Sequence, residues 1–124
     1  MLFRSLISTS ALKSLSFTES LKKILGGLDI HKEVERNKNY VIVADTARGT
    51  GLDYSAFVVV DIDEVPYRIV AKYRNNTISP LLFPDIIVQA AKYYNNAYLL
   101  IENNDAGGQV ADHVLYDLEY DNLF

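Results

Sequence analysis

Tyr40-Val41-Ile42-Val43-Ala44-Asp45 is the stretch that decides the fold: five consecutive apolar residues closed by a carboxylate. A strand with one wet face alternates, so a continuous run suits a central strand buried on both faces. The same grammar returns at Ala97-Tyr98-Leu99-Leu100-Ile101, closed by Glu102. Working outward from Asp45, a loop rich in Gly and Thr (Thr46 to Asp53) leads to a second run, Ala56-Phe57-Val58-Val59-Val60. Asp61 to Pro66 supplies turn chemistry. Tyr67 to Arg74 then sets Tyr67, Ile69, Ala71 and Tyr73 on one face. Three runs with short connections predict an antiparallel meander.

Ser79-Pro80 is the expected helix start, Ser as N-cap and Pro at the first position. Ile86, Ile87, Ala90, Ala91 and Tyr94 recur at helical spacing until Asn95-Asn96 stops the helix. A helical crossover lets the fourth strand lie parallel to the first. After Asn103-Asn104-Asp105 and Gly107-Gly108, a further helix is expected from Gln109 to Leu118. The predicted order is β-β-β-α-β-α, an α/β fold. With the first and fourth strands as neighbours, Asp45 and Glu102 emerge side by side at the carboxyl ends of the sheet, where open α/β sheets place their ligands.

With 124 residues the chain is sized for one domain. Mean hydropathy is +0.02, and 49% hydrophobic with 23% charged residues is a globular composition. The net charge of −4 and pI near 5.0 provide no global positive charge for holding nucleic acid by counterion release. The absence of Cys excludes a disulfide scaffold, a thiol nucleophile and a Cys-based zinc site. No run of about 18 apolar residues appears, so no membrane partner is expected. The first 25 residues are Ser-rich and carry net +3, leaving −7 downstream. They lack the apolar core of a secretory signal, so the chain is expected not to be secreted. Gly26-Gly27 and the charged stretch from Asp29 to Lys38 read as a connecting segment. Residues 1–39 are therefore expected to approach a domain that occupies 40–124.

Two converging carboxylates repel each other, and a hard divalent cation is the simplest relief. Asp45 and Glu102 thus point to a metal site, against the plainer reading that each ends a strand facing water. Gly49 and Gly51 with Asp53 form a candidate phosphate-cradling hairpin, though without the following helix that such motifs use. Asn103-Asn104-Asp105 fits either a metal-side loop or a turn. His31, in the polar linker, and His113, on a helix, lack metal-ligand spacing. Tyr67, Tyr73, Tyr93, Tyr94 and Tyr98 fall on element faces, where core packing is expected. No phosphate-binding P-loop and no Ser-His-Asp arrangement is present.

Val41-Ile42-Val43-Ala44-Asp45-Thr46-Ala47-Arg48-Gly49-Thr50-Gly51-Leu52-Asp53-Tyr54-Ser55-Ala56, followed later by Leu99-Leu100-Ile101-Glu102-Asn103-Asn104, resembles the nuclease domain of the large terminase subunit of tailed bacteriophages. Asn76-Thr77-Ile78-Ser79-Pro80 and Tyr116-Asp117-Leu118-Glu119-Tyr120 fit the same family. The resemblance covers residues 40 to 124 and implies an RNase H-like fold. It further implies a two-metal endonuclease that cuts concatemeric double-stranded DNA during genome packaging. Asp45 and Glu102 would be its catalytic, metal-binding acids, with Gly49, Asp53 and Asn104 in supporting loops. The implied cofactor is Mg²⁺ or Mn²⁺, two ions ~3.5–4 Å apart. Implied partners are double-stranded DNA and, in the intact parent, the portal and the small terminase subunit; the implied location is the host cytoplasm.

The family's ATPase domain is expected to be missing upstream, and its third carboxylate, fifth strand and last helix to lie beyond this chain. An internal fragment with two of three acids is expected to be weak or inactive, because water activation depends on fixed coordination. Two alternatives stand beside it. One is a nucleotide-binding half-domain of the actin-like or sugar-kinase ATPases, using Gly49 and Gly51. The other is an inert truncated product.

Overall fold

The computed structural model describes residues 19–45, 55–75, 77–79, 82–101 and 120–122. Its elements are β1 (Lys22–Ile24), β2 (Leu28–Ile30), β3 (Tyr40–Asp45), β4 (Ser55–Asp61), β5 (Arg68–Asn75), α1 (Phe83–Tyr93) and β6 (Tyr98–Ile101). The strands form one sheet in the order β1-β2-β5-β4-β3-β6. The expected meander is β3-β4-β5, antiparallel throughout, and β6 lies parallel to β3 after the α1 crossover. The further helix expected at Gln109 to Leu118 lies outside the described residues. Among the described residues no helix is long and apolar enough to cross a membrane.

β3 sits between β4 and β6 and is buried on both faces, as its unbroken apolar run requires. Tyr40, Ile42 and Ala44 join Phe57, Val59, Ala71, Tyr73, Leu99 and Ile101 in the main core beneath α1. α1 contributes Phe83, Ile87, Ala90 and Ala91. Phe57 stacks on Tyr73 at 5.1 Å between ring centroids, and Phe83 covers both at 6.1 and 5.9 Å. Burying one such side chain contributes about 1.5–3 kcal/mol. On the opposite face Val41 and Leu100 form a smaller cluster with Val43, Ile62 and Tyr67.

Three expectations are corrected. First, the segment read as a connecting approach contains a hairpin: β1 pairs with β2, and β2 pairs with β5. Leu28 and Ile30 are fully buried there on either side of Asp29. Each strand is only three residues long, too short for its alternation to outweigh the surrounding charge. Second, Tyr67, Ile69, Ala71 and Tyr73 do not share one face. A register shift against Val59/Val60 puts Val70 and Ala71 both into the main core and leaves Tyr67 with the opposite cluster. Third, α1 begins at Phe83. The backbone carbonyl of Ser79 accepts the N–H groups of Leu82 (3.0 Å) and Phe83 (3.1 Å), and Pro84 takes the first-turn position where a missing N–H costs nothing.

Asn95 and Asn96 end α1 in the left-handed region, at φ 58° and 56°, a conformation Asn tolerates better than most residues. The short segment 120–122 docks against the start of β6. Leu99 N–H donates to the Asn122 carbonyl at 2.7 Å, and the Tyr120 hydroxyl donates to the Ala97 carbonyl.

Candidate active site at the carboxyl ends of β3 and β6

The parallel ladder pairs Val41 with Tyr98, Ile42 with Leu99, Val43 with Leu100 and Ala44 with Ile101. Both members of the last pair are followed in the sequence by an acid, Asp45 and Glu102. Asp45 ends β3, is exposed and stands opposite Ala56 of β4. Glu102 lies outside the described residues, as do Gly49, Asp53 and Asn104. The structure therefore brings the two strand ends together and, of the expected site residues, locates Asp45.

Strand alternation sends Tyr40, Ile42 and Ala44 towards α1, and Val41, Val43 and Asp45 to the other face. On that face an open groove of about 270 Å³ is lined by Val43, Asp45, Ala56, Val58, Lys72 and Arg74. Lys72 and Arg74, both exposed, went unnoticed in the sequence. Their signal was the two polar positions interleaved with Ala71 and Tyr73. Ser55 lies at the same sheet end, its hydroxyl buried with no hydrogen-bond partner among the described residues.

Asp61, a buried acid, belongs to the other end of the sheet, paired in register with Tyr40. Its Oδ2 accepts from Lys38 Nζ at 2.8 Å and its Oδ1 from the Asp63 N–H at 3.0 Å. Lys38 also reaches Glu35 at 2.9 Å, and the Asp61 hydrogen bond, before that of Glu35, holds its ammonium well above the ordinary lysine range. A polar cleft of about 150 Å³ nearby contains Asn39, Asn95 and Asn122. Their amides are engaged: Asn39 donates to Asp63 (2.9 Å), Asn95 to the carbonyls of Glu35 and Lys38 (2.8 and 3.1 Å), and Asn122 to that of Asn96 (2.9 Å). This end of the sheet is joinery.

His31 is buried, 7% exposed, and its backbone N–H donates to Val70 at 2.8 Å, so it does not lie in a polar linker. Tyr73 and Tyr94 are core residues as expected, whereas Tyr98 is 45% exposed. Tyr93 donates its hydroxyl to Glu33. His113 lies outside the described residues. Among the described residues no three metal-ligating side chains cluster. Asp45 nonetheless suits a hard cation: an oxygen donor, accessible, at the end of a strand whose packing holds its backbone.

Residues 42–123 match the family model for the terminase RNase H-like domain. The chain belongs to that family. Its fold is correspondingly like that of the large terminase nuclease from thermophilic phage G20c, with a TM-score of 0.72 at 22% identity. That match covers 93% of this chain and 57% of the G20c chain. The magnesium-bound crystal structure of the same nuclease gives 0.73 at 22% identity, with the same coverage. The nuclease domain of the Thermus phage P74-26 large terminase gives 0.70 at 23% identity, covering 93% of this chain and 55% of that one. The G20c nuclease has also been crystallised with zinc and with cobalt. The chain thus spans a little over half the length of these relatives, and the family turns the reading away from the actin-like or sugar-kinase alternative.

Proposed function

We propose that the chain is part of a phage large terminase nuclease, a divalent-metal endonuclease acting on concatemeric double-stranded DNA. Asp45 and Glu102 would be its catalytic carboxylates. The observation that carries this reading is the parallel pairing of Ala44 with Ile101, each followed in sequence by an acid. Neighbouring strands lie about 4.8 Å apart, the kind of spacing that two acids sharing cations require. Two bound cations, Mg²⁺ or Mn²⁺, would supply Lewis acidity to the attacking water and to the leaving oxygen. Asp45 contributes an accessible oxygen ligand on a rigid strand, so the ligand is positioned before substrate arrives. Gly49, Asp53 and Asn104 are retained as supporting loop positions. Contacts with the portal and small subunit, in the host cytoplasm, belong to the same proposal.

The test is Mn²⁺-dependent cleavage of a supercoiled plasmid, combined with Mn²⁺ binding to the chain itself. Asp45→Ala and Glu102→Ala are each expected to abolish cleavage and weaken Mn²⁺ binding. Cleavage that persists in both variants would sink the assignment. A chain that neither cuts nor binds Mn²⁺ would establish the inert-product alternative instead.

A further inference from the structure

The outer face of β5 carries two exposed basic residues. Lys72 and Arg74 are exposed between the buried Ala71 and Tyr73. Register fixes their relation to the site. Asp45, Ala56 and Arg74 form one cross-strand row, and Val43, Val58 and Lys72 form the next. Arg74 therefore stands two strand spacings from Asp45, about 10 Å, and Lys72 about 7 Å further along β5. The intervening residues are small or apolar, which leaves the groove of about 270 Å³ open between the acid and the two cations. Beyond Lys72 the row continues through Asp29 to Lys23, which form a 3.7 Å ion pair.

A molecule of net charge −4 repels a polyanion as a whole, so DNA must be held where positive charge is locally concentrated. Each DNA strand presents one phosphate per ~3.4 Å of helix axis, so two basic side chains on one strand face can engage one backbone together. Guanidinium binds phosphate in a bidentate fork, whereas ammonium acts as a point charge. We propose that Lys72 and Arg74 are positioning residues that hold the phosphodiester backbone of the DNA strand entering the Asp45 site. This rests on the nuclease reading of that site.

The test uses the full chain, a short DNA duplex and no divalent cation, so that binding is separated from cleavage. Fluorescence anisotropy is followed over a salt series. Each phosphate contact contributes about 0.9 to the log–log salt slope, so Lys72→Gln with Arg74→Gln should lower the slope by roughly 1.8. The exchange K72R with R74K should retain the slope. Lys92→Gln, at an exposed position on α1, should leave it unchanged. An unchanged slope in the double Gln variant, or no duplex binding by the parent chain, would overturn the proposal. Asp45→Asn separates the two readings: it should weaken Mn²⁺ binding and abolish any cleavage while leaving the slope intact. If the slope falls with the double variant but Asp45→Asn binds Mn²⁺ as the parent chain does, the phosphate surface stands and the nuclease assignment fails.

Discussion

Asp61 and Asp45 end adjacent antiparallel strands at opposite ends of the sheet, one acid buried and the other exposed. Asp61 is 5% exposed and both its oxygens are engaged, by Lys38 and by the Asp63 N–H. Asp61→Ala leaves Lys38 with Glu35 alone and orphans that N–H. The expected loss is about 1–3 kcal/mol, the cost of leaving a buried group unsatisfied, measured by urea denaturation. Asp45 is exposed, so Asp45→Asn should change stability by no more than about 0.5 kcal/mol while removing cleavage. Retained fold with lost chemistry is the signature of a functional residue. The place of Asp45 at a strand end was legible because an acid directly follows a buried run. Lys72 and Arg74 were not, since a polar residue at every second position is what any solvated strand face displays.

At the scale of elements, packing decided what local pattern left open. The β1–β2 hairpin fits under the aromatic cluster through Gly27: a Cβ there would lie 2.9 Å from Cε2 of Tyr73. The Tyr73 ring is stacked against Phe57 and Phe83 and has little room to retreat. Gly27→Ala should therefore cost about 1–3 kcal/mol, and a matching loss of urea midpoint would check it. Gly26-Gly27 reads in the sequence as part of a connecting segment; that it turns between two strands was not legible, because the partner of β2, β5, lies some forty residues downstream. The bulge opposite Val59/Val60 was likewise invisible, since it is a property of a pair of strands. The long runs of β3, β4 and β6 needed no such information, because burial on both faces is written into each one.

Across the whole molecule, tyrosines tie the helix, the sheet and the docked 120–122 segment together. Burial, ahead of every other influence, pushes the phenols of Tyr40, Tyr73, Tyr94 and Tyr120 upward, Tyr120 from 10.0 to about 12. The unfolded chain gives up these protons first. Stability is thus complete below about pH 10 and declines as pH rises towards 12. Urea midpoints across that window, followed with phenolate absorbance, should fall together. Tyr120→Phe should flatten part of the decline and cost about 1 kcal/mol at neutral pH through the lost bond to Ala97.

The parallel pairing of β3 with β6 also sets a timetable. β3, β4 and β5 follow one another closely along the chain and can zip as neighbours, whereas β6 must wait for the α1 crossover before it meets β3. Contacts between distant parts of a chain form slowly, because the intervening loop must close before any of them forms. The two strand ends that carry Asp45 and precede Glu102 therefore meet late in refolding, and a cation that needs both acids would be captured only after most of the sheet has already assembled.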